Sequence, residues 1–441
     1  MDLIPSLGNT AFDLVAFIVA LSIIVAVHEY GHYIVGRWTG IKADVFSVGF
    51  GPVIWSRNDK HGTKWQIAAL PLGGYVKFRG DADAASGKDG EAMSGLTEEE
   101  RRATMHGAPV WARAATVAAG PIFNFILAIV VFAGLLFLRG VSSDPITIDT
   151  MREMPVENGL QQGDVLLEIN GTEVPGPDAF YSFATALPSE GTLSYTVERD
   201  GVVTTVPGPH PNPSLALSIS PDSAAGDIDM RAGDVITAVD GVPVTTFAQL
   251  REIVGASDGN PMLLNVWRSG QELEFTIVPR RRDLPVEGGG FETRWLIGIS
   301  GGLFFEPEAV APGFGAAVTY GGTQTIDTVR ISLSALYNMT LGRIDTCNLQ
   351  GPIGIAQVAG DAASNGWMSF IGTIALLSVA IGFLNLMPIP VLDGGHLVFH
   401  AWEAITGRPP SDGALKVLMA TGLSLMIALM VFALSNDLFC P

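Results

Sequence analysis

Two histidines and a glutamate occur together in HEYGH at residues 28–32. Residues four apart on a helix share one face, so the imidazoles of His28 and His32 can bind one metal ion. Glu29, beside the first histidine, can then reach a water molecule next to that ion. Zinc hydrolases need such ligands, an open position for water and a nearby base. The spacing therefore predicts that His28 and His32 bind Zn²⁺ and that Glu29 is the catalytic base.

The HEYGH segment ends an apolar run that begins near Ala11 and is long enough to cross a bilayer. A chance match is the alternative explanation, because many soluble helices can carry this pattern. Inside an apolar span, however, three ionisable side chains would face lipid unpaired, which is costly unless they have a function. The combination favours a hydrolase that works within the membrane.

A third ligand must come from elsewhere, and the strongest candidate is Asp393 in NLMPIPVLDGGH at 385–396. Pro388 and Pro390 exclude a regular helix just before it. The glycines at 394–395 are expected to let the backbone turn tightly after the aspartate. The alternative interpretation of Asp393 is an ordinary Asp-Gly turn at a helix end.

His396 and His400 are rival ligands, since they are also four residues apart. They rank second because no glutamate stands beside the first and both follow the turn. Asn124 is a further polar residue in an apolar segment, after a Gly-Pro pair expected to bend the helix. It is either a hydrogen-bonding residue between packed helices or a residue near the active site.

Four apolar segments must position these residues in a membrane. They cover residues 12–35, 115–138, 368–388 and 414–434. The chain of 441 residues has a net charge of -19, and no basic face is evident that could bind nucleic acid. The expected environment is a lipid bilayer.

Lysines and arginines near the spans set the expected orientation. They place loops 36–114 and 389–413 in the cytoplasm. Both termini and residues 139–367 then face the periplasm, so the predicted location is a bacterial inner membrane.

Without Lys or Arg before Arg37, the first span does not resemble a cleaved signal peptide. Cys347 and Cys440, the only cysteines, fall on the outer side, where a bridge is possible, and they form no cysteine-ligated zinc site.

The outer region contains an internal repeat. LQQGDVLLEINGTEV at 160–174 matches MRAGDVITAVDGVPV at 230–244. Each copy predicts a strand, an Asn-Gly or Asp-Gly turn, a second strand and then a helix. Two small domains in tandem are expected, and their pattern resembles PDZ domains, which bind extended peptides at a sheet edge.

Other segments carry weaker signals. Residues 36–114 contain two strand-like stretches, FSVGFGPVIWSR and TKWQIAALPLGGYVKFRG, followed by a polar stretch at 81–104 that predicts a mobile loop. WLIGIS near 295–300 predicts another strand. Residues 313–345 predict amphipathic helix at the membrane surface.

Three motifs in their respective spans resemble the site-2 protease family of intramembrane zinc metalloproteases. They are HEYGH in the first span, GPIFNF at 120–125 in the second, and NLMPIPVLDGGH at the end of the third. The resemblance covers nearly the whole chain. It implies that His28, His32 and Asp393 bind zinc and that Glu29 is the base.

The resemblance also implies residues that bind substrate. Asn385, Pro388 and Pro390 correspond to positions that hold a substrate strand. A membrane-associated β segment corresponds to Gly49–Pro52 and Leu70–Phe78. The expected substrate-binding residues in the whole chain are Asn385, Pro388, Pro390, Gly73, Gly74 and Asn124.

The sequence thus predicts a multi-pass α-helical membrane protein with four transmembrane helices, a membrane-associated β segment and two periplasmic PDZ-like α+β domains. The predicted parts are residues 1–138, 144–208, 210–283, 291–366 and 367–441. The implied activity is hydrolysis of transmembrane segments in single-pass proteins, such as an anti-sigma factor or remnant signal peptides. The alternative is a non-catalytic membrane-anchored PDZ scaffold or chaperone. A metal transporter is disfavoured, because it would need polar residues spread along the spans, whereas the charged residues here are expected at a single depth in the membrane.

Overall fold

The computed structural model describes residues 3–81, 95–220, 223–286 and 290–439. Cys440 and most of the polar stretch at 81–104 lie outside these residues. The chain divides into two compact units. The first comprises residues 1–135 and 314–441, and the second comprises residues 136–313.

Ten α-helices occur in the described residues. In chain order they are α1 Leu3–Trp38, α2 Glu98–Arg102, α3 Val110–Arg139, α4 Pro177–Ala186, α5 Phe247–Gly255, α6 Phe314–Thr340, α7 Pro352–Ser364, α8 Trp367–Asn385, α9 Asp393–Thr406 and α10 Asp412–Phe439. Helices α1, α3, α8 and α10 are long and apolar enough to cross a membrane, which confirms the four predicted spans. Helix α6 confirms a helix within 313–345, with Phe314, Ile326 and Leu333 exposed.

The strands are short except for one long hairpin. They are β1 Ala43–Asn58, β2 Lys64–Phe78, β3 Val141–Ser142, β4 Ile148–Met151, β5 Val165–Ile169, β6 Thr172–Glu173, β7 Thr192–Arg199, β8 Val202–Pro209, β9 Ser218–Ile219, β10 Val235–Val239, β11 Val242–Pro243, β12 Met262–Arg268, β13 Gln271–Ile277, β14 Arg280–Pro285, β15 Phe291–Leu296, β16 Ile299–Ser300, β17 Phe305–Pro307 and β18 Ala309–Val310. A 3₁₀ turn covers Thr346–Asn348.

The hairpin β1–β2 is antiparallel with several register shifts and packs on α1. Asp59, in its turn, accepts hydrogen bonds from the Tyr33 hydroxyl at 2.9 Å and from Trp65 Nε1 at 3.1 Å. Its other oxygen accepts the backbone N–H groups of His61 and Thr63. These bonds tie the hairpin turn to α1, so that β2 runs beside the HEYGH segment.

The second unit contains the two predicted repeats. Their four-stranded sheets have equivalent orders, β6-β5-β7-β8 and β11-β10-β12-β13. Both central residues of the Asn170-Gly171 and Asp240-Gly241 turns have positive φ, as a two-residue hairpin turn requires. A buried aspartate in each repeat also pairs with an arginine. The pairs are Asp164 with Arg199 and Asp234 with Arg268.

The repeats are nested rather than strictly sequential. Strand β17 pairs with β4, and β18 pairs with β3, so segments that follow the second repeat return to the first. Phe304 and Phe305 are buried in the core of the first repeat, and Ile297 is buried in the core of the second. Both cores therefore use residues outside 144–208 and 210–283.

Candidate metal centre

Helix α1 places His28 and His32 on one face, with their Nε2 atoms 3.1 Å apart. Asp393 begins α9, and its Oδ2 atom lies 3.2 Å from His28 Nε2 and 3.5 Å from His32 Nε2. Three potential ligand atoms from two distant parts of the chain therefore meet at one point. Among the described residues, this is the one group of three or more such side chains close enough to hold an ion.

The triangle fits a zinc ion. Zinc bonds of about 2.0–2.1 Å in a tetrahedral site place neighbouring ligand atoms about 3.3 Å apart, close to the distances between His28, His32 and Asp393. Asp393 Oδ2 is buried and makes no well-aligned hydrogen bond within the described residues. A buried carboxylate oxygen needs a partner, and a cation between the three groups would provide it.

Close packing of glycines brings Asp393 to this position. A Cβ atom at Gly394 would lie 2.2 Å from the Met387 carbonyl oxygen, and one at Gly395 would lie 2.4 Å from that of Ile389. The prediction that these glycines make a tight turn was wrong, because both lie in the first turn of α9 without positive φ. The left-handed residue is Val391, at φ 105°. The glycines are needed because the preceding loop lies directly against the start of the helix.

A cavity of about 310 Å³ opens beside the three ligands. The other predicted residues that line it are Glu29, Gly74, Asn385, His396 and His400. Its lining does not include Gly73, Pro388, Pro390 or Asn124. His396 and His400 share the cavity with Asp393, but they are not members of the three-ligand group.

Strand β2 positions Glu29 at the cavity wall. Val76 of this strand lines the cavity together with Glu29. Gly74 lies so close that a Cβ atom there would be 3.2 Å from Glu29 Cγ. The hairpin therefore holds the predicted base against the metal ligands, and this is its structural role at the site.

The cavity lining also includes His106, a histidine that the motifs did not reveal. His106 Nε2 lies 3.2 Å from Oδ1 of the buried Asp81, and no recognisable sequence pattern links these two residues. Burial and the neighbouring Arg113 lower the pKa of His400 to about 4. Arg113 also forms a two-point ion pair with Glu403, at 2.7 and 3.0 Å, which holds α9 against the start of α3.

Helix α3 forms the back of the site. The Thr116 carbonyl oxygen lies 2.8 Å from His32 Nδ1, and Asn124 lies beside His28. Gly120, between them, faces both imidazoles. The helix continues through Pro121, and Gly120 provides clearance for the two histidines.

These features define a metallohydrolase whose metal centre involves an apolar helix of membrane-spanning length. A comparison with protein families matches residues 16–429 to peptidase family M50. The chain therefore belongs to peptidase family M50, and it is a zinc metalloprotease.

Named relatives agree with this family. A protein from Agrobacterium fabrum, provisionally named a zinc metalloprotease, is 38% identical over 429 residues, covering 96% of this chain and 95% of the relative. A similarly named protein from Rhizobium meliloti is 36% identical, covering 98% of both. The regulator of sigma-E protease RseP from Salmonella typhimurium is 32% identical over 458 residues, covering 97% of this chain and 98% of the relative.

Proposed function

We propose that this protease cleaves peptide bonds within the transmembrane segments of single-pass membrane proteins. The observation that carries the proposal is the His28–His32–Asp393 triangle, two of whose members belong to a helix with a mean hydropathy of 2.5 over 18 residues. A metal centre in such a helix is best suited to a substrate that is itself in the membrane. The class of substrate includes anti-sigma factors, since one relative is named for sigma-E regulation.

The roles of the site residues follow from their positions. His28, His32 and Asp393 would hold zinc, which when bound polarises a scissile carbonyl and acidifies water. Glu29 lines the same cavity, accepts the proton that water loses and passes it to the leaving amine. Close packing of Gly74 against the Glu29 side chain keeps the carboxylate in place during both transfers.

A substrate helix must unwind before its peptide bonds can react, because its carbonyl groups are otherwise hydrogen-bonded within the helix. The hairpin β1–β2 has a backbone edge near the site, where an unwound segment can add as a strand. Gly74 and Asn385 both line the cavity. We assign them to substrate binding together with Gly73, Pro388 and Pro390 of the adjoining backbone.

The second unit is proposed to restrict access by substrate size. It is inserted between the second and third spans. The lysines and arginines near the spans favour a periplasmic location for it. The repeats resemble PDZ domains in their sequence motif. The repeats would keep membrane proteins with large outer domains away from the active site. They would admit substrates whose outer domains have already been shortened.

Full-length protein in detergent provides the direct test. Wild type is expected to bind one zinc ion per chain and to cleave a model single-pass substrate within its transmembrane segment. Glu29→Gln should keep the zinc and lose cleavage by at least about 100-fold, because general-base catalysis contributes that much. The exposed Glu99→Gln is the matched control and should behave as wild type. Full cleavage by Glu29→Gln, or cleavage confined to soluble proteins, would contradict the proposal.

A further inference from the structure

Asn124 is fully buried in the middle of α3. Its amide nitrogen as placed lies 3.3 Å from His28 Nδ1, and its Oδ1 atom is buried without a hydrogen-bond partner in the described part of the chain. A buried amide oxygen without a hydrogen-bond donor is costly. The residue also does not line the cavity, so it is poorly placed to contact substrate.

The chemistry of His28 explains the unsatisfied oxygen. Its Nε2 atom faces His32 and Asp393, so a metal would bind there. The proton of a neutral imidazole then resides on Nδ1, which becomes a donor. Amide oxygen and nitrogen are distinguished only by their hydrogen bonds. Rotating the Asn124 amide by half a turn puts Oδ1 opposite His28 Nδ1, where it accepts that proton.

His32 shows the same arrangement on the same helix. Its Nδ1 lies 2.8 Å from the Thr116 carbonyl oxygen, which can only accept. Thr116, Gly120 and Asn124 are spaced four residues apart and therefore share one face of α3. This face offers one acceptor to each histidine, with the glycine giving clearance between them.

The position of Asn124 is fixed from its other side. The Ser378 hydroxyl donates to the Asn124 backbone carbonyl at 2.9 Å, and both residues are fully buried. Gly382 lets α8 approach, since a Cβ there would lie 3.1 Å from Asn124 Cβ. The amide is therefore held at a fixed distance from the imidazole.

We propose that Asn124 is a positioning residue that accepts a hydrogen bond from His28 Nδ1–H and so fixes the ring and its tautomer for zinc binding. This inference rests on the proposed zinc ligands. It replaces the substrate-binding role expected from the sequence. Removing a residue that hydrogen-bonds to a metal ligand typically lowers metal affinity by about 10–100-fold.

The test measures zinc affinity of the full-length protein by competition with a chelator, without reference to catalysis. Asn124→Leu, which has a similar size and no acceptor, should weaken zinc binding about 10–100-fold. Asn124→Asp keeps an acceptor and should bind zinc at least as tightly as wild type. Asn338→Leu is the control, because it replaces another buried asparagine, whose amide donates to the Ser334 carbonyl oxygen at 2.8 Å, and it should leave zinc affinity within about twofold of wild type.

Substrate kinetics separate the two roles of Asn124. At saturating zinc, Asn124→Leu should keep the wild-type KM. An unchanged zinc affinity in Asn124→Leu, or a raised KM at saturating zinc, would overturn the positioning role. If the leucine variant does not fold, Asn124→Ala replaces it with the same expected loss. A wild type that binds no zinc would instead overturn the proposed metal site itself.

Discussion

Gly120 lies directly against His32: a Cβ atom at position 120 would be 2.3 Å from His32 Nε2 and 2.8 Å from His28 Cε1. No real side chain is tolerated at such distances, so α3 can approach the two imidazoles only because residue 120 has none. The approach in turn brings the Thr116 carbonyl to His32. The metal centre therefore depends on a residue that has no ligand atom.

Gly120→Ala should abolish zinc binding while leaving the helix formed, because alanine favours helix more than glycine does. The added methyl group pushes both ligand rings away from Asp393, and activity should fall at least about 100-fold, as expected for misplaced catalytic groups. Gly134→Ala in the same helix is the control, since nothing lies within 4 Å of its Cβ position. Zinc content of the purified variants decides the question, and a zinc-loaded Gly120→Ala protein would contradict this account.

The ion pair between Arg113 and Glu403 should stabilise the first unit. Its side chains are only 14% and 15% exposed, so Glu403→Gln leaves a largely buried arginine unpaired. We expect a loss of about 3–5 kcal/mol in the free energy of unfolding. Denaturant unfolding in mixed micelles gives the value.

Two further variants test the origin of that effect. Replacing the pair with Arg113→Met and Glu403→Leu together should recover most of the stability, because no charge is then left buried. Asp327→Asn breaks an exposed pair with Arg330 and should cost under about 1 kcal/mol. Equal losses from Glu403→Gln and Asp327→Asn would show that burial of the pair is unimportant.

Acid should destabilise the protein partly through His400. Burial and Arg113 lower the pKa of this residue from 6.5 to about 4, so the folded state favours the neutral ring. Stability from this group is complete above pH 6.5 and is lost as the pH falls from 6.5 through about 4. His400→Gln should therefore lose less stability than wild type between pH 7 and pH 4. Thermal unfolding across this range measures the difference, and parallel profiles would exclude His400 as a contributor.

Removing the second unit should broaden substrate choice. Ser142 and Ala309 are paired across β3 and β18, so a short glycine-serine linker can replace residues 143–308 without straining either end. The truncated protein is expected to cleave single-pass proteins whose outer domains are intact. The control inserts the same linker at the Asp200-Gly201 turn and keeps the unit. Continued resistance of intact substrates to the truncated protein would count against a size filter.

Local patterns in the sequence predicted the spans, the repeats and the HEYGH helix, because each depends on periodicity or spacing within a few residues. Asp393 was found through its proline-rich surroundings and its resemblance to a known motif. Close contacts between helices, such as the one between the Thr116 carbonyl and His32, could not be predicted in this way. The Thr116 carbonyl is a backbone group that any residue would supply, so its type carries no signal.

Contacts between residues far apart in the sequence could not be predicted from it either. Asp81 and His106 meet only because the hairpin and α3 pack together, and neither belongs to a recognisable motif. Strands β3 and β18 have two residues each, too few to show an alternating pattern. For this reason the return of the chain to the first repeat was not anticipated.

Asp393 lies far from His28 and His32 along the sequence, beyond two further spans. The ribosome must therefore complete most of the chain, and the third span must be inserted, before the ion can be held as described. A product of interrupted translation would carry the histidines and glutamate but lack Asp393. Such a product would have an incomplete set of metal ligands and is expected to be inactive as a protease.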